Sequence, residues 1–110
     1  MSSQNAFTPT GNTVTFTAST SAPTAAQANA RTLGSTQYLV TNGGAVTVFV
    51  GFGSTNAAAV ANAVVVTSTS PAVPVLSGTT QVFTLTPGLF FTGITSSGTS
   101  PVYITPGEGI

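Results

Sequence analysis

The chain has 110 residues, only two of them charged, Arg31 and Glu108, and its net charge is zero. It contains no His, Cys, Asp or Lys, so the side chains that usually transfer protons, bind metals or act as activated nucleophiles are missing. We therefore expect no enzyme activity, no cofactor and no bound metal. Because one Arg cannot neutralise several phosphates, we do not expect nucleic acid as a partner.

The composition is that of a folded all-β protein. The chain holds 22 Thr and 12 Ser, its hydrophobic fraction is 41%, and its mean hydropathy is +0.43. Thr, Val and Phe favour pleated, half-buried strands, whereas disorder requires low hydrophobicity and high charge. The length suits one hydrophobic core. We predict an N-terminal arm over residues 1–12 and a single β-sandwich domain over residues 13–110.

No segment is typical of secretion or membrane insertion. The start, residues 1–5, lacks the basic region and apolar region of a secretory signal. The longest apolar run, residues 57–66, is far shorter than the roughly 20 residues of a membrane-spanning helix. We expect neither a secretory signal nor a membrane partner.

In chain order, the first strand is predicted at residues 13–18, where apolar side chains alternate with Thr. Residues 19–35 are small and polar. Within them, Thr24 could cap a short helical turn that ends at Gly34. An extended strand along a sheet edge is the alternative for this segment.

The clearest pattern is a β-hairpin, with strands at residues 37–42 and 46–53 and a turn at Gly43-Gly44. The Asn-Gly-Gly sequence tolerates the positive φ that tight turns require. One face of the second strand is apolar and is predicted to be core: Val46, Val48, Val50 and Phe52. Because Phe49 points the other way, it needs a second layer or a partner subunit to cover it.

The segment that follows is ambiguous. Residues 57–66 are Ala-rich at first, which suits a helix, and then Val-rich, which suits a strand. We predict a loop that leads into a strand near residues 63–68. Pro71 and Pro74 then restrict residues 72–76 to an edge strand, since proline cannot donate to a central ladder.

The C-terminal part predicts three more strands: residues 81–86, 89–95 and 102–105. Turns are expected at Gly78, Pro87-Gly88, Ser97-Gly98 and Pro106-Gly107. The Pro87-Gly88 turn would pair the first two of these strands as a hairpin. Seven or eight short strands with no sustained helical period indicate a β-sandwich or jelly roll.

Three stretches resemble small virion proteins of tailed bacteriophages: QYLVTNGGAVTVFVGFG, VLSGTTQVFTLTPG and VYITPGEG. The resemblance implies a head decoration, cement or fibre-base component, a compact β-domain displayed in many copies on the capsid. Its location would be the virion, assembled in the host cytoplasm. Its partners would be the major capsid protein or another virion protein, and copies of itself in a homo-oligomer, for instance a trimer.

Other interpretations compete with this one. Thr13, Thr15 and Thr17 resemble the Thr arrays of ice-binding proteins, although such an array needs successive strands in register. The spacing of Gly51 and Gly53 favours a turn over a phosphate loop. The main alternative is a glycan-binding adhesin or fibre domain. Its platform would consist of five aromatic rings: Tyr38, Tyr103, Phe49, Phe90 and Phe91.

The lack of charge itself predicts an interface. A near-neutral surface lacks the repulsion that normally keeps chains apart, so we expect copies of the chain or a larger partner to cover it. The predicted interface residues are Phe49, Arg31 and Glu108. The two charged residues pair with each other, meet opposite charges on a partner, or are exposed.

Overall fold

The computed structural model describes residues 8–9, 11–28, 37–64, 72–85 and 88–108. Within these ranges the chain forms nine strands and one short helix. In order they are β1 (Thr8–Pro9), β2 (Val14–Ala18), β3 (Ala26–Gln27), β4 (Gln37–Asn42), β5 (Val48–Gly53), α1 (Asn56–Asn62), β6 (Val73–Val75), β7 (Thr80–Thr84), β8 (Phe90–Ile94) and β9 (Ser100–Glu108). The fold is all-β, as the composition predicts.

The strands form two sheets that pack face to face, so the architecture is sandwich-like. In the first sheet, β9 lies between β4 and the successive strands β1 and β2, and β7 pairs with the other side of β4. The second sheet has the order β3, β8, β5, β6. All pairs within the two sheets are antiparallel. The described residues form more strands than predicted because they include two very short ones, β1 and β3, of two residues each.

Side chains from both sheets fill the space between them. The first sheet contributes Phe16, Tyr38, Val40, Val102 and Ile104, and the second contributes Val48, Val50, Val75 and Phe91. The rings of Tyr38 and Phe91 meet across the sheets with centroids 4.9 Å apart. The predicted core face of β5 is thus confirmed at Val48 and Val50. Phe52 is only half-buried and packs at the rim of the core.

The predicted hairpin over residues 37–53 is wrong. Its two strands are β4 and β5, and they belong to different sheets. The Asn-Gly-Gly segment is therefore a corner between the two layers. The second predicted hairpin is wrong for the same reason, because β7 lies in the first sheet and β8 in the second.

The physical cause of the first corner is the buried amide of Asn42. Its Nδ2 donates to the carbonyl oxygens of Val46 at 2.8 Å and Val75 at 2.9 Å. Its Oδ1 accepts from the N–H of Gly44 at 3.1 Å and from the hydroxyl of Ser100 at 2.6 Å. These bonds direct the chain from β4 towards the second sheet, whereas a hairpin would have returned it along β4.

The Ala-rich segment is a helix where we predicted a loop. α1 begins after Thr55, whose hydroxyl accepts a bond of 3.1 Å from the N–H of Ala58. Alanine loses no side-chain entropy in a helix, so a short helix forms once its cap is present. Of the strand predicted near residues 63–68, Ala63 and Val64 are not in a strand. Residues 65–70 lie outside the described ranges.

Two glycines of β5 make room for this helix. A Cβ at Gly51 would lie 2.6 Å from the carbonyl oxygen of Ala59, and one at Gly53 would lie 2.6 Å from the Cβ of Ala58. Gly51 and Gly53 are residues of β5, as the strand predicted over residues 46–53 requires, and the turn that their spacing favoured is wrong. α1 is the layer that covers this part of the outer face of β5.

Several other predictions concern edges and turns. Residues 26–27 form the edge strand β3, so the extended alternative is confirmed there; residues 29–36 are outside the described ranges. The edge strand predicted at residues 72–76 is confirmed as β6, at an edge of the second sheet. Gly78, Gly88 and Gly98 have positive φ, as the predicted turns require.

The last strand is longer than predicted. β9 continues through Pro106 to Glu108, although we expected Pro106-Gly107 to close it. Pro106 lies opposite Tyr38 of β4. On the other side of β9, pairing with β2 ends at Ile104 and pairing with β1 begins at Gly107. Pro106 therefore has no strand partner on that side, and its missing N–H costs no ladder bond there.

Candidate functional site

The structure does not gather the three predicted interface residues into one described site. Phe49 lies in the second sheet, opposite Ile94 and Pro74, and is half-buried. Glu108 ends β9 in the first sheet, opposite Thr8. Arg31 lies outside the described residues. The interface assigned to these three residues stays a prediction.

The candidate surface that the structure does form is the outer face of the first sheet. Side chains on this face alternate along the strands with buried ones such as Phe16, Val40 and Ile104, so the two faces are assigned by the period of two. The outward set, which we call the threonine face, is Thr13, Thr15, Thr17, Gln37, Leu39, Thr41, Thr80, Val82, Thr84, Pro101, Tyr103 and Thr105. None of these side chains is charged.

Strand register brings the threonines together from separate parts of the chain. Tyr103 pairs with Thr15 on one side and with Thr41 on the other, and Thr41 pairs with Thr80. One row across the face therefore reads Thr15, Tyr103, Thr41, Thr80. In the sequence only the threonines of β2 and Thr13 before it form a pattern, because their neighbours on the face come from β4, β7 and β9.

Several hydroxyls of the face are held by hydrogen bonds. Thr41 and Thr80 bond through their Oγ1 atoms at 3.0 Å, and Thr13 and Thr105 do so at 2.6 Å. The hydroxyl of Thr15 donates to the carbonyl oxygen of Val102 at 2.9 Å. In each Thr–Thr pair one hydroxyl donates, and the other keeps a free proton for a partner or for water. The face is thus ordered before any partner binds.

Tyr103 is the large exposed side chain of this face, with 44% of its surface accessible. The ring leans over Gly43, where a Cβ would lie 3.0 Å from the ring atom Cε2. A side chain at Gly43 would push the ring away, so this glycine determines where the ring lies. An ordered ring with a polar tip suits an interface, because it buries apolar area at little conformational cost.

The five-ring glycan platform is not formed. Tyr38 and Phe91 are fully buried in the core. Phe49 and Phe90 lie in the second sheet, whereas Tyr103 lies on the outer face of the first. A glycan site on the outer face of the first sheet would have to rely on the ring of Tyr103.

The threonine face has one of the features that an ice-binding array requires and lacks another. Threonines from successive strands do lie in register, which the sequence alone did not indicate. However, Tyr103, Leu39 and Val82 interrupt the rows, and the hydroxyls of Thr41 and Thr80 bond to each other. The arrangement is a mixed hydroxyl and apolar surface.

One buried hydroxyl of the core is titratable. Burial raises the pKa of Tyr38 above its ordinary value, and the backbone hydrogen bonds with Leu89 and Gly88 partly oppose this shift. The hydroxyl is enclosed between the sheets, so it takes no part in a surface site.

The chain matches no known protein family, no curated protein and no solved structure. None of the helical structure in the described residues is both long and apolar enough to cross a bilayer.

Proposed function

We propose that this protein is a non-enzymatic structural component of a virion, a capsid decoration or cement protein that binds the shell and neighbouring copies. Its partner on the particle would be the major capsid protein or another virion protein. The observation that carries the proposal is the threonine face, an ordered and uncharged surface that spans β2, β9, β4 and β7. The resemblance to small phage virion proteins supplies the particle.

An uncharged face of this kind favours protein–protein contact for a physical reason. Burying a charge costs several kcal/mol unless a partner compensates it. Threonine presents a methyl group and a hydroxyl, so it adds apolar area while its hydroxyl exchanges water for a partner's polar group. Contact with another neutral surface therefore needs no matching ions.

The size of the face predicts that one contact is weak. Four strands spaced about 4.8 Å apart, each offering about five residues at about 3.3 Å, give roughly 300 Å². A stable interface buries about 800 Å² on each partner. Attachment therefore depends on adjoining surface or on several linked copies that bind together.

The test is particle fractionation with matched variants. Heads, tails and fibres are separated from lysed host cells that produce the particle, and copies per particle are counted by quantitative mass spectrometry. We expect a fixed high copy number on heads. Tyr103→Ala should lower that number with little change in the melting temperature, because almost half of the side chain is exposed. Leu76→Ala is the control, since Leu76 is 59% exposed but lies outside the threonine face.

Two outcomes would contradict the proposal. Absence of the protein from purified particles would exclude a virion role. Low copy number on tails or fibres, together with binding to a glycan array that Tyr103→Ala abolishes, would favour the glycan-binding alternative.

A further inference from the structure

We infer that the β7 edge of the first sheet pairs with the same edge of a second copy, so that two chains share one continuous antiparallel sheet. β7 forms a backbone ladder with β4 and with no other described strand, and the side chain of Gln81 donates to the carbonyl oxygen of Pro74 in β6 at 3.1 Å. This inference deepens the proposed function, and rests on it, by naming the surface through which neighbouring copies meet.

The hydrogen-bond pattern shows which backbone groups face the open side of β7. The N–H of Asn42 donates to the carbonyl oxygen of Thr79 at 3.0 Å, just beyond the Thr41–Thr80 pair. Bonded and non-bonded pairs alternate along an antiparallel ladder, so Thr41–Thr80 is a non-bonded pair. The short Oγ1 separation of these two threonines agrees, because side chains lie closer in non-bonded pairs.

The same alternation continues along the strand. Three residues of β7 direct their N–H and C=O groups away from β4, towards the open edge: Thr80, Val82 and Thr84. Such groups form a template for another strand. Side chains of the same three residues lie on the threonine face, so a strand added at this edge would extend that face.

β7 lacks the devices that usually protect an edge. Natural edges carry charges, prolines or bulges that prevent pairing with another chain. β1 contains Pro9 and β6 contains Pro74, and β3 has two residues. The end of β2 is tied to the second sheet by a bridge between Ser19 and Ile94. The sequence of β7, TQVFT, has no charge and no proline.

The sequence of β7 is also self-complementary, which points to a second copy as the occupant. An antiparallel pair with its two-fold axis at Val82 places Val82 opposite Val82 of the second copy. Thr80 then lies opposite Thr84 of the second copy, and Gln81 opposite Phe83 of that copy. The outward pairs are Val–Val and Thr–Thr, and all three outward residues form backbone bonds, about six in total.

This pairing also uses apolar surface that one copy leaves uncovered. Phe83 is only partly buried, at the rim of the core against Phe52. The two-fold axis is perpendicular to the sheet, so both threonine faces point the same way. A dimer therefore presents to the capsid shell a contact area twice that of one copy. The larger area compensates for the weak binding of a single copy.

The experiment measures mass in solution, with no particle present. Sedimentation velocity and light scattering of the wild-type chain, over a series of concentrations, should show a species with twice the 10.8 kDa chain mass. Val82→Lys should raise the dimer dissociation constant at least about tenfold, because the register places two like charges directly opposite each other. Val82→Glu should do the same.

Mixing the two variants tests the register itself. An equal mixture of Val82→Lys and Val82→Glu should form a heterodimer, since the opposite charges then meet at the two-fold axis. Leu39→Lys is the matched control. Leu39 pairs with Val82 on the same face but lies one strand inside the edge, so this variant should dimerise like the wild type.

Each contrary result overturns the inference. A wild-type chain that stays monomeric at all concentrations contradicts it, as does a Val82→Lys variant that dimerises normally. Equal loss of dimer in Leu39→Lys would indicate contact through the face in place of the edge. A mixture that stays monomeric, with both variants folded by circular dichroism, would exclude the register centred on Val82.

These outcomes are independent of the particle experiment. Dimers that never attach to heads would contradict the proposed function and leave the edge pairing in place. Monomers that attach to heads would contradict the edge pairing and leave the proposed function in place.

Discussion

The Oδ1 atom of Asn42 accepts a hydrogen bond of 2.6 Å from the hydroxyl of Ser100, and both side chains are fully buried. The two residues are 58 positions apart in the chain. Their bond joins the end of β4 to the start of β9 at the corner where the chain leaves the first sheet. The same amide group also bonds to the backbone on the way to the second sheet, so one side chain holds strands of both layers.

We predict that Asn42→Ala lowers the free energy of unfolding by about 3 kcal/mol, because several buried polar groups lose their partner. Ser100→Ala should cost less, about 1 kcal/mol, since Gly44 still donates to the Asn42 amide. Urea unfolding followed by circular dichroism measures both. A loss below about 1 kcal/mol for Asn42→Ala would show that water replaces the amide, and the corner would then not depend on it.

Gly51→Ala should displace α1. The added methyl group would collide with the backbone of α1 and of Ala63 after it, and backbone cannot move aside as a side-chain end can. We expect a loss of about 2 kcal/mol or more. Gly78→Ala is the control: its φ is +69° and nothing lies within 4 Å of the added Cβ, so only backbone strain of about 1 kcal/mol applies. Equal losses for the two variants would contradict the close packing of α1.

Phe91→Ala and Phe49→Ala should separate folding from assembly. Phe91 is fully buried between Tyr38 and Phe52, so its removal should cost about 3 to 5 kcal/mol. Phe49 is half-buried on the outer side of β5, and its removal should lower particle occupancy more than it lowers the melting temperature. An unchanged occupancy for Phe49→Ala would remove this residue from the interface.

Stability should be nearly constant between about pH 5 and 9, because only Glu108 and the chain ends titrate near that range. Above about pH 10 it should fall. The folded pKa of Tyr38 is raised, so the unfolded chain ionises first and gains stability as the pH rises. Tyr38→Phe should be less stable than the wild type at neutral pH, having lost a buried hydrogen bond, but should lose this alkaline decline. An identical decline in both proteins would assign it to another group.

Attachment to the particle should survive about 1 M NaCl. Salt at this concentration screens Coulomb attraction within about 3 Å but leaves apolar burial intact. Washing particles with rising NaCl and counting the copies retained provides the measurement. Release by salt alone would mean that Arg31 and Glu108 dominate the interface.

Much of the local structure could be predicted from the sequence. The alternation in β2 and β5 follows from the two faces of a strand, and Pro74 requires an edge, because proline cannot donate to a ladder. Gly78 and Gly98 mark turns, since positive φ is costly for residues with a Cβ. These features depend on a residue and its near neighbours in the chain, so they can be predicted from the sequence.

Strand pairing depended on contacts that lie far apart in the chain. An Asn-Gly-Gly segment permits either a hairpin or a corner between sheets. The corner forms here because the side-chain amide of Asn42 bonds to Val75 and Ser100, which are distant in the chain. The threonine face likewise arises from register among four strands. Composition and alternation thus determined an uncharged all-β chain, while the pairing of strands, and with it the surface offered to partners, was decided by buried polar groups that only the folded chain brings together.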